Sequence, residues 1–172
     1  MFVKATLKDT NALCDLFLKT LREHKSYISH GEMQMGVALS NDEISDDAEK
    51  KWTYYIRKKI NNRSTKYPSV VLKYLDEGKI VAFGVFEVSA DDDKPFGIIG
   101  DMVVLRKYRG SGLGKKLLNE GLQWFAAMGI DDIYLESGLH NESAHRFFEK
   151  NGFQRVSYVF KLKQEKQNEQ SM

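Results

Sequence analysis

Ile98-Ile99-Gly100-Asp101-Met102-Val103-Val104-Leu105-Arg106-Lys107-Tyr108-Arg109-Gly110-Ser111-Gly112-Leu113-Gly114-Lys115-Lys116-Leu117-Leu118 reads as a buried strand, a tight glycine turn and a helix start in one run. The stretch from Ile98 to Leu105 is apolar and rich in β-branched residues, the pattern of a strand covered on both faces. After the turn, Leu117, Leu118, Leu122, Phe125 and Met128 recur at helical spacing, and Gly129 is placed to end that helix. Between strand and helix, Gly110, Gly112 and Gly114 leave backbone N–H groups bare at a helix N-terminus, where the helix dipole favours negative charge. The turn is therefore an anion cradle.

Two familiar phosphate loops do not fit it. In a Walker loop, Arg109 would have to be glycine and Lys116 a hydroxyl residue. A dinucleotide fingerprint needs Gly-x-Gly-x-x-Gly in the first strand-to-helix turn, whereas Gly-x-Gly-x-Gly here comes late in the chain. The run Arg109-x-x-Gly112-x-Gly114 instead resembles the Arg/Gln-x-x-Gly-x-Gly/Ala signature of the GNAT superfamily, the acyl-CoA-dependent N-acetyltransferases. A second motif follows in order. After a strand at Ile133-Tyr134-Leu135-Glu136-Ser137 come Asn141, Ala144 and Phe147-Phe148-Glu149-Lys150-Asn151-Gly152-Phe153, similar to the family's closing pattern of Asn, a small residue and aromatic-Tyr-Glu-Lys-x-Gly-Phe.

The resemblance covers residues 98 to 153 and implies acetyl-CoA as co-substrate. It implies that Arg109, Gly110, Ser111, Gly112, Leu113, Gly114 and Lys115 hold the pyrophosphate, that the backbone of Met102, Val103 and Val104 pairs with the pantetheine arm, and that Asn141, Ala144 and Phe148 complete the binding surface. Arg106, Lys107, Arg109, Lys115 and Lys116 frame the turn with positive charge, which suits a ligand carrying several phosphates.

With 172 residues and 42% hydrophobic content, the chain suits one domain with a single core, expected over residues 1–163 with a polar tail at 164–172. A net charge of +2 is too small to argue for nucleic acid or an anionic membrane as partner. No apolar run approaches the ~20 residues of a membrane span, and the first residues lack a signal peptide's basic and apolar regions. The single cysteine, Cys14, excludes an internal disulfide and fits a reducing cytoplasm, with a buried structural thiol as its reading. No metal-ligand spacing is present.

In chain order, Phe2 to Leu7 is β-prone, and Asp9 or Thr10 can cap a helix with the stripe Leu13, Leu16, Phe17 and Leu21. Ser29 to Gly36 has no steady period and reads as a loop. By resemblance it borders the acceptor site, which makes His30, Glu32, Met33 and Met35 candidate substrate contacts. A helix from Ser45 or Asp46 to Ile60 follows, with Ala48, Trp52, Tyr55 and Ile56 along one face. Val70 to Leu75 and Ile80 to Val88 are strands joined by the turn Asp76-Glu77-Gly78-Lys79. An acidic tip at Ala90 to Lys94 then leads into the central strand. The expected order is β-α-α-β-β-β-α-β-α-β: an α/β fold with a mixed, largely antiparallel GNAT-like sheet flanked by helices.

Asp101 is the carboxylate to explain, because an unpaired charge in an apolar strand costs on the order of several kcal/mol. By resemblance it is the catalytic base or the anchor of the acceptor amine; satisfaction by backbone at a bulge or sheet edge is the other reading. Glu136 and Glu87 are secondary candidates. The sequence departs from its family at Phe148, where many members carry the Tyr that protonates the leaving thiolate. Tyr158, His145 and Ser143 are the alternative donors, and an unassisted thiolate is the other route. The expected activity is acetyl transfer from acetyl-CoA to the primary amine of a small molecule or peptide, with a catalytically silent acyl-CoA-binding module as the alternative. A homodimer is left open.

Overall fold

The computed structural model describes residues 1–91 and 94–162. Five strands form one sheet in the order β1 (Phe2–Lys4), β2 (Ser69–Asp76), β3 (Lys79–Asp91), β4 (Lys94–Val104) and β5 (Ile133–Leu135). The first four are antiparallel neighbours, and β5 lies parallel to β4 after a crossover through helix α4 (Leu113–Ala126). This is the mixed, largely antiparallel α/β sheet that the sequence implies. The β2–β3 hairpin closes at Glu77 and Gly78, with φ of +47° and +76°. Two positive φ values in a two-residue loop match the right-handed twist of the flanking strands.

β3 is apolar on both sides because both are covered. Phe83 and Val85 pack under α1 (Thr10–Glu23) and α3 (Ala48–Ile60) against Leu13, Phe17, Trp52 and Ile56. Phe86 and Val88 face the opposite way, onto Leu117, Leu118 and Phe125 of α4. Each such side chain contributes roughly 1.5–3 kcal/mol through burial, so the sheet is clamped from two sides and its central strands form a rigid floor. Cys14 is buried in the α1 layer with its thiol 3.8 Å from the Glu49 carbonyl, and burial pushes its pKa up. No helix among the described residues is long and apolar enough to cross a membrane.

Three local features differ from the sequence reading. Ser29 to Gly36 is not wholly a loop: His30–Gln34 forms a short helix, α2. The Glu32 carboxylate accepts from both the Ser29 N–H and its hydroxyl at 2.6 Å, while Gly31 N donates to Ser29 Oγ at 3.2 Å. That is a capping box, and the Ser-x-x-Glu spacing that announces it is present in the sequence. The helix expected from Ser45 or Asp46 begins at Ala48. The strand expected after α5 (Glu142–Lys150) is not formed: residues 154–162 join no ladder, and the sheet order ends at β5. A β-prone run becomes a strand only when an edge lies alongside to take its backbone hydrogen bonds, and among the described residues β5 is bonded only to β4. Asp92 and Asp93 of the acidic tip, and the tail at 164–172, lie outside the described residues.

Candidate active site

The ladder between β4 and β5 is short. Gly97–Ile99 pairs with Ile133–Leu135, and there it stops. From Asp101 to Val104 β4 is bonded to β3 on one side, while its other side borders a cleft. The cleft is also lined by Leu135 to Ser137, by Asn141, Ala144 and Phe148, and by Tyr27, Ser29 and Glu32. The cleft thus brings together Asp101, Met102, Val103, Asn141, Ala144 and Phe148. The side chains of Met102 and Val103 belong to the core on opposite faces of the sheet, so their backbone groups are what β4 offers to a ligand. Asn141 caps α5, its Oδ1 accepting from Ala144 N at 3.2 Å.

A bulge aims Asp101. Opposite partners in a ladder share a face: Ile99 lies across from Phe86 on the α4 side, and Asp101 across from Val85 on the α1/α3 side. Residues two apart in a regular strand point the same way; here Gly100 is the extra residue, and it turns every later side chain over. A Cβ on Gly100 would stand 2.7 Å from the Tyr55 hydroxyl, so only glycine lets α3 bring that hydroxyl so close to the strand. The Tyr55 hydroxyl faces the Asp101 carboxyl, and their interaction favours the ionised carboxylate. Burial is the main force on Asp101 and, with the charges of Glu32 and Glu87, pushes its pKa up to about 7; the Tyr55 hydrogen bond and Lys59 pull the other way. Burial likewise holds the Tyr55 phenol well above its ordinary value, with Asp101 adding to it.

The other carboxylates are engaged. Glu87 pairs with Lys59. Glu136 pairs with His30 and accepts from Gly31 N at 3.1 Å, tying α2 to the end of β5. Glu32 is committed to the α2 cap. Asp101, by contrast, forms no ion pair within 4 Å among the described residues, and the groups that favour its ionised form are the Tyr55 hydroxyl and, more distantly, Lys59.

The glycine turn lies at the foot of the same strand. Gly110 and Gly112 have φ of +78° and +84°, and a Cβ on either would meet nothing within 4 Å. The first intrahelical bond of α4 runs from Lys116 N to Gly112 O, so the N–H groups of Leu113, Gly114 and Lys115 precede it. Bare amides, open space and helix polarity together fit a bound pyrophosphate. The Arg109 side chain turns away from the cradle: Nε donates to Val104 O at 2.9 Å, Nη1 to the Tyr27 hydroxyl at 2.7 Å, and the guanidinium lies 5.4 Å from the Tyr27 ring centre.

Tyr55 is the site residue that sequence reasoning missed. Its place on the buried stripe of α3 accounts for the ring; the available signal was that a buried Tyr hydroxyl needs a polar partner. Of the donors considered, Tyr158 is exposed, His145 Nε2 bonds Gly138 O at 3.0 Å, and Ser143 Oγ bonds Asn141 Oδ1 at 3.2 Å. Ser137 Oγ, by contrast, borders the cleft, is buried, and has no hydrogen-bond partner among the described residues.

The chain has relatives among known proteins. The chain is 39% identical over 64 residues to the uncharacterized N-acetyltransferase YhdJ of Bacillus subtilis, covering 37% of this chain and 45% of that protein. It is 28% identical over 98 residues to the [ribosomal protein bS18]-alanine N-acetyltransferase of Haemophilus ducreyi, covering 57% and 63%. The chain thus spans less than two thirds of the length of these relatives. Its fold superposes on that of a predicted acetyltransferase from Clostridium acetobutylicum, solved with acetyl-CoA, with a TM-score of 0.68 over 95% of each chain at 19% identity. The model of the acetyltransferase (GNAT) family matches residues 35–153, a span that runs from just after α2 through the Asp101 strand and the glycine turn to Phe153. With that span carrying β4, the cradle and α5 in one piece, the chain belongs to the acetyltransferase (GNAT) family.

Proposed function

We propose that this chain transfers an acetyl group from acetyl-CoA to a primary amine, with Asp101 as the base. The observation that carries the reading is the placement of one partly buried carboxyl, with a pKa raised to about 7, in a cleft bordered by the stretch of β4 that β5 leaves unpaired. Such a group is ionised in part at neutral pH and can take a proton without being a strong base, which is what amine acylation asks of it.

Acetyl-CoA supplies the acyl group as an activated thioester. The amine nitrogen forms a bond to the carbonyl carbon, Asp101 takes the proton the nitrogen sheds, and the C–S bond breaks to release a thiolate. The cleft-facing backbone N–H groups of β4, those of Met102 and Val104, since Val103 is bonded into the β3 ladder, stabilise the oxyanion between these steps. The amides of Leu113 to Lys115 hold the pyrophosphate, and Asn141, Ala144 and Phe148 flank the arm. Glu32, Asp101 and Glu136 make the acceptor end of the cleft acidic, which favours a cationic amine. The test is CoA release on a panel of small amines and peptide N-termini. Turnover that vanishes in Asp101→Asn supports the reading; tight CoA binding with no turnover on any acceptor favours the silent binding module that a phenylalanine at 148 also fits.

Two substitutions refine it. Phe148 packs edge-on against Phe147 and Phe153, with ring centres 5.1 and 5.5 Å away, and also borders the cleft. Phe148→Tyr is expected to keep or raise the rate, since it adds a donor to the leaving-group wall; a stably folded variant with a large rate loss counts against an unassisted thiolate. Tyr55→Phe removes the hydrogen bond that lowers the Asp101 pKa. The acidic limb of the pH–rate profile should then move to higher pH, with a several-fold lower rate at neutral pH. An unmoved limb would show that Tyr55 only packs.

A further inference from the structure

Ser137 borders the cleft, yet acyl transfer as carried by Asp101 and the β4 amides makes no use of it. Its hydroxyl oxygen is buried and has no hydrogen-bond partner among the described residues. A hydroxyl kept from solvent and left unbonded weakens the fold, so stability does not explain a serine at this position. Its neighbours, in contrast, are fixed. Glu136 pairs with His30 and accepts from Gly31 N, and the Gly138 carbonyl holds His145 Nε2 at 3.0 Å. A Cβ on Gly138 would stand 2.6 Å from the carbonyl oxygens of Ser26 and Ile28, so the chain here is packed backbone to backbone against the segment before α2. The Ser137 hydroxyl is therefore carried on a segment anchored on both sides of it.

The register of the sheet says what it is aimed across. β5 runs parallel to β4 with Ile99 opposite Leu135, where the pairing ends. Two residues further along each chain stand Asp101 and Ser137, so Ser137 lies across the cleft from the stretch of β4 that carries Asp101 and the Met102 N–H. Leu135 packs with Phe147 and Phe148 in the α4 layer, whereas Glu136 turns the opposite way, to α2. The same alternation returns Ser137 to the Phe148 side. Asp101 belongs to the α1/α3 side, so the carboxyl and the hydroxyl flank the cleft from opposite faces of the sheet.

We propose that the Ser137 hydroxyl donates a hydrogen bond to the sulfur of the departing thiolate, the service a tyrosine hydroxyl would render at position 148. The inference rests on the acyl-transfer reading and assigns a further residue within it. As the amine nitrogen bonds to the carbonyl carbon, its proton passes to Asp101. The electron pair of the breaking C–S bond goes to sulfur, and the Ser137 O–H is shared with that charge as it develops. The proton stays on the serine, and the released thiolate is protonated by water. An ordinary thiol ionises near pH ~8.5, far below an alcohol, so a hydrogen bond and not a full proton transfer is what this hydroxyl gives.

Ser137→Ala tests it. Its kcat should fall roughly 10–100-fold, as for loss of one hydrogen bond to a charged group, with the KM for acetyl-CoA and the Asp101 limb of the pH–rate profile unchanged. The melting temperature should equal or exceed that of the wild type, since no bond within the chain is broken. Adding Phe148→Tyr should restore most of the lost rate. Binding gives a readout without turnover: a hydrogen bond to sulfur favours the thiolate, so wild-type affinity for CoA, relative to desulfo-CoA, should rise from about pH 7 to about pH 9, and Ser137→Ala should lose that rise. Wild-type turnover matched by Ser137→Ala overturns this inference and leaves the acyl-transfer reading standing. A rate loss that tracks a lower melting temperature, or one that Phe148→Tyr does not relieve, also overturns it. A wild type that binds CoA and acetylates no acceptor overturns the acyl-transfer reading and takes this inference with it.

Discussion

Asp101→Asn lowers turnover by about 10²–10⁴-fold, the range that general acid–base catalysis supplies, while CoA affinity stays at the wild-type level. The separation follows from the geometry. Asparagine keeps the shape of the side chain and can still accept from the Tyr55 hydroxyl, so the bulge at Gly100 and the cleft beside β4 survive. What is lost is the ability to take a proton. Because the carboxyl sits at about 7, wild-type activity should rise with pH through that region as the ionised base appears, and the variant should lack this limb. Stability moves the opposite way. The folded pKa lies above the ordinary carboxylate value of 3.8, so between the two values the native state binds more protons than the unfolded chain, and stability falls as pH rises across that window. Asp101→Asn removes the penalty. Its melting temperature should exceed that of the wild type above the raised pKa and show no such gain below the ordinary carboxylate range. A variant with near-normal turnover across the pH range would eliminate Asp101 as the base.

The second large effect is expected at the cradle. Gly112→Asp or Gly114→Asp should weaken CoA binding by about 100-fold, as expected for unit charges brought to about 4 Å in partly screened surroundings. The fold should tolerate both. At Gly112 the cost is the left-handed backbone, roughly 1–2 kcal/mol for a residue with a side chain and least for Asp and Asn, because its Cβ would point into open space. At Gly114 a Cβ would make ordinary contact with Phe147 at 3.6 Å and Val104 at 3.8 Å, and a carboxylate in the first turn of α4 favours the helix dipole. Gly114→Asp thus predicts lost ligand affinity with melting temperature preserved or raised. Calorimetry that finds unchanged CoA binding in either folded variant would remove the cradle from the binding site.

Much of this could be read from the chain because the signals are local. The glycines of the turn and the Glu77–Gly78 hairpin stand where a positive φ is needed, at Gly110, Gly112 and Gly78, and the hydrophobic periods of α1, α3 and α4 mark the faces that become core. The Ser29 and Glu32 capping box was equally local and went unread, because the glycines around it obscured so short a helix. The final strand was over-read for the opposite reason: alternation in residues 154–162 records a capacity to pair, and pairing needs an edge that the sequence does not place.

The amino-acid sequence alone determined the family motifs, the strand-turn-helix unit at residues 98–118 and the presence of an unexplained carboxylate within it. Only the tertiary structure decided where that carboxylate points and what surrounds it. Whether Asp101 points toward α4 or toward α3 depends on one inserted residue in the β4 ladder. That bulge is accommodated by the approach of the Tyr55 hydroxyl to Gly100 across 45 residues of chain. No period in a strand distinguishes a bulged glycine from a regular one; the contact that does so is made by a helix packing on the sheet, and so exists only once the chain has folded.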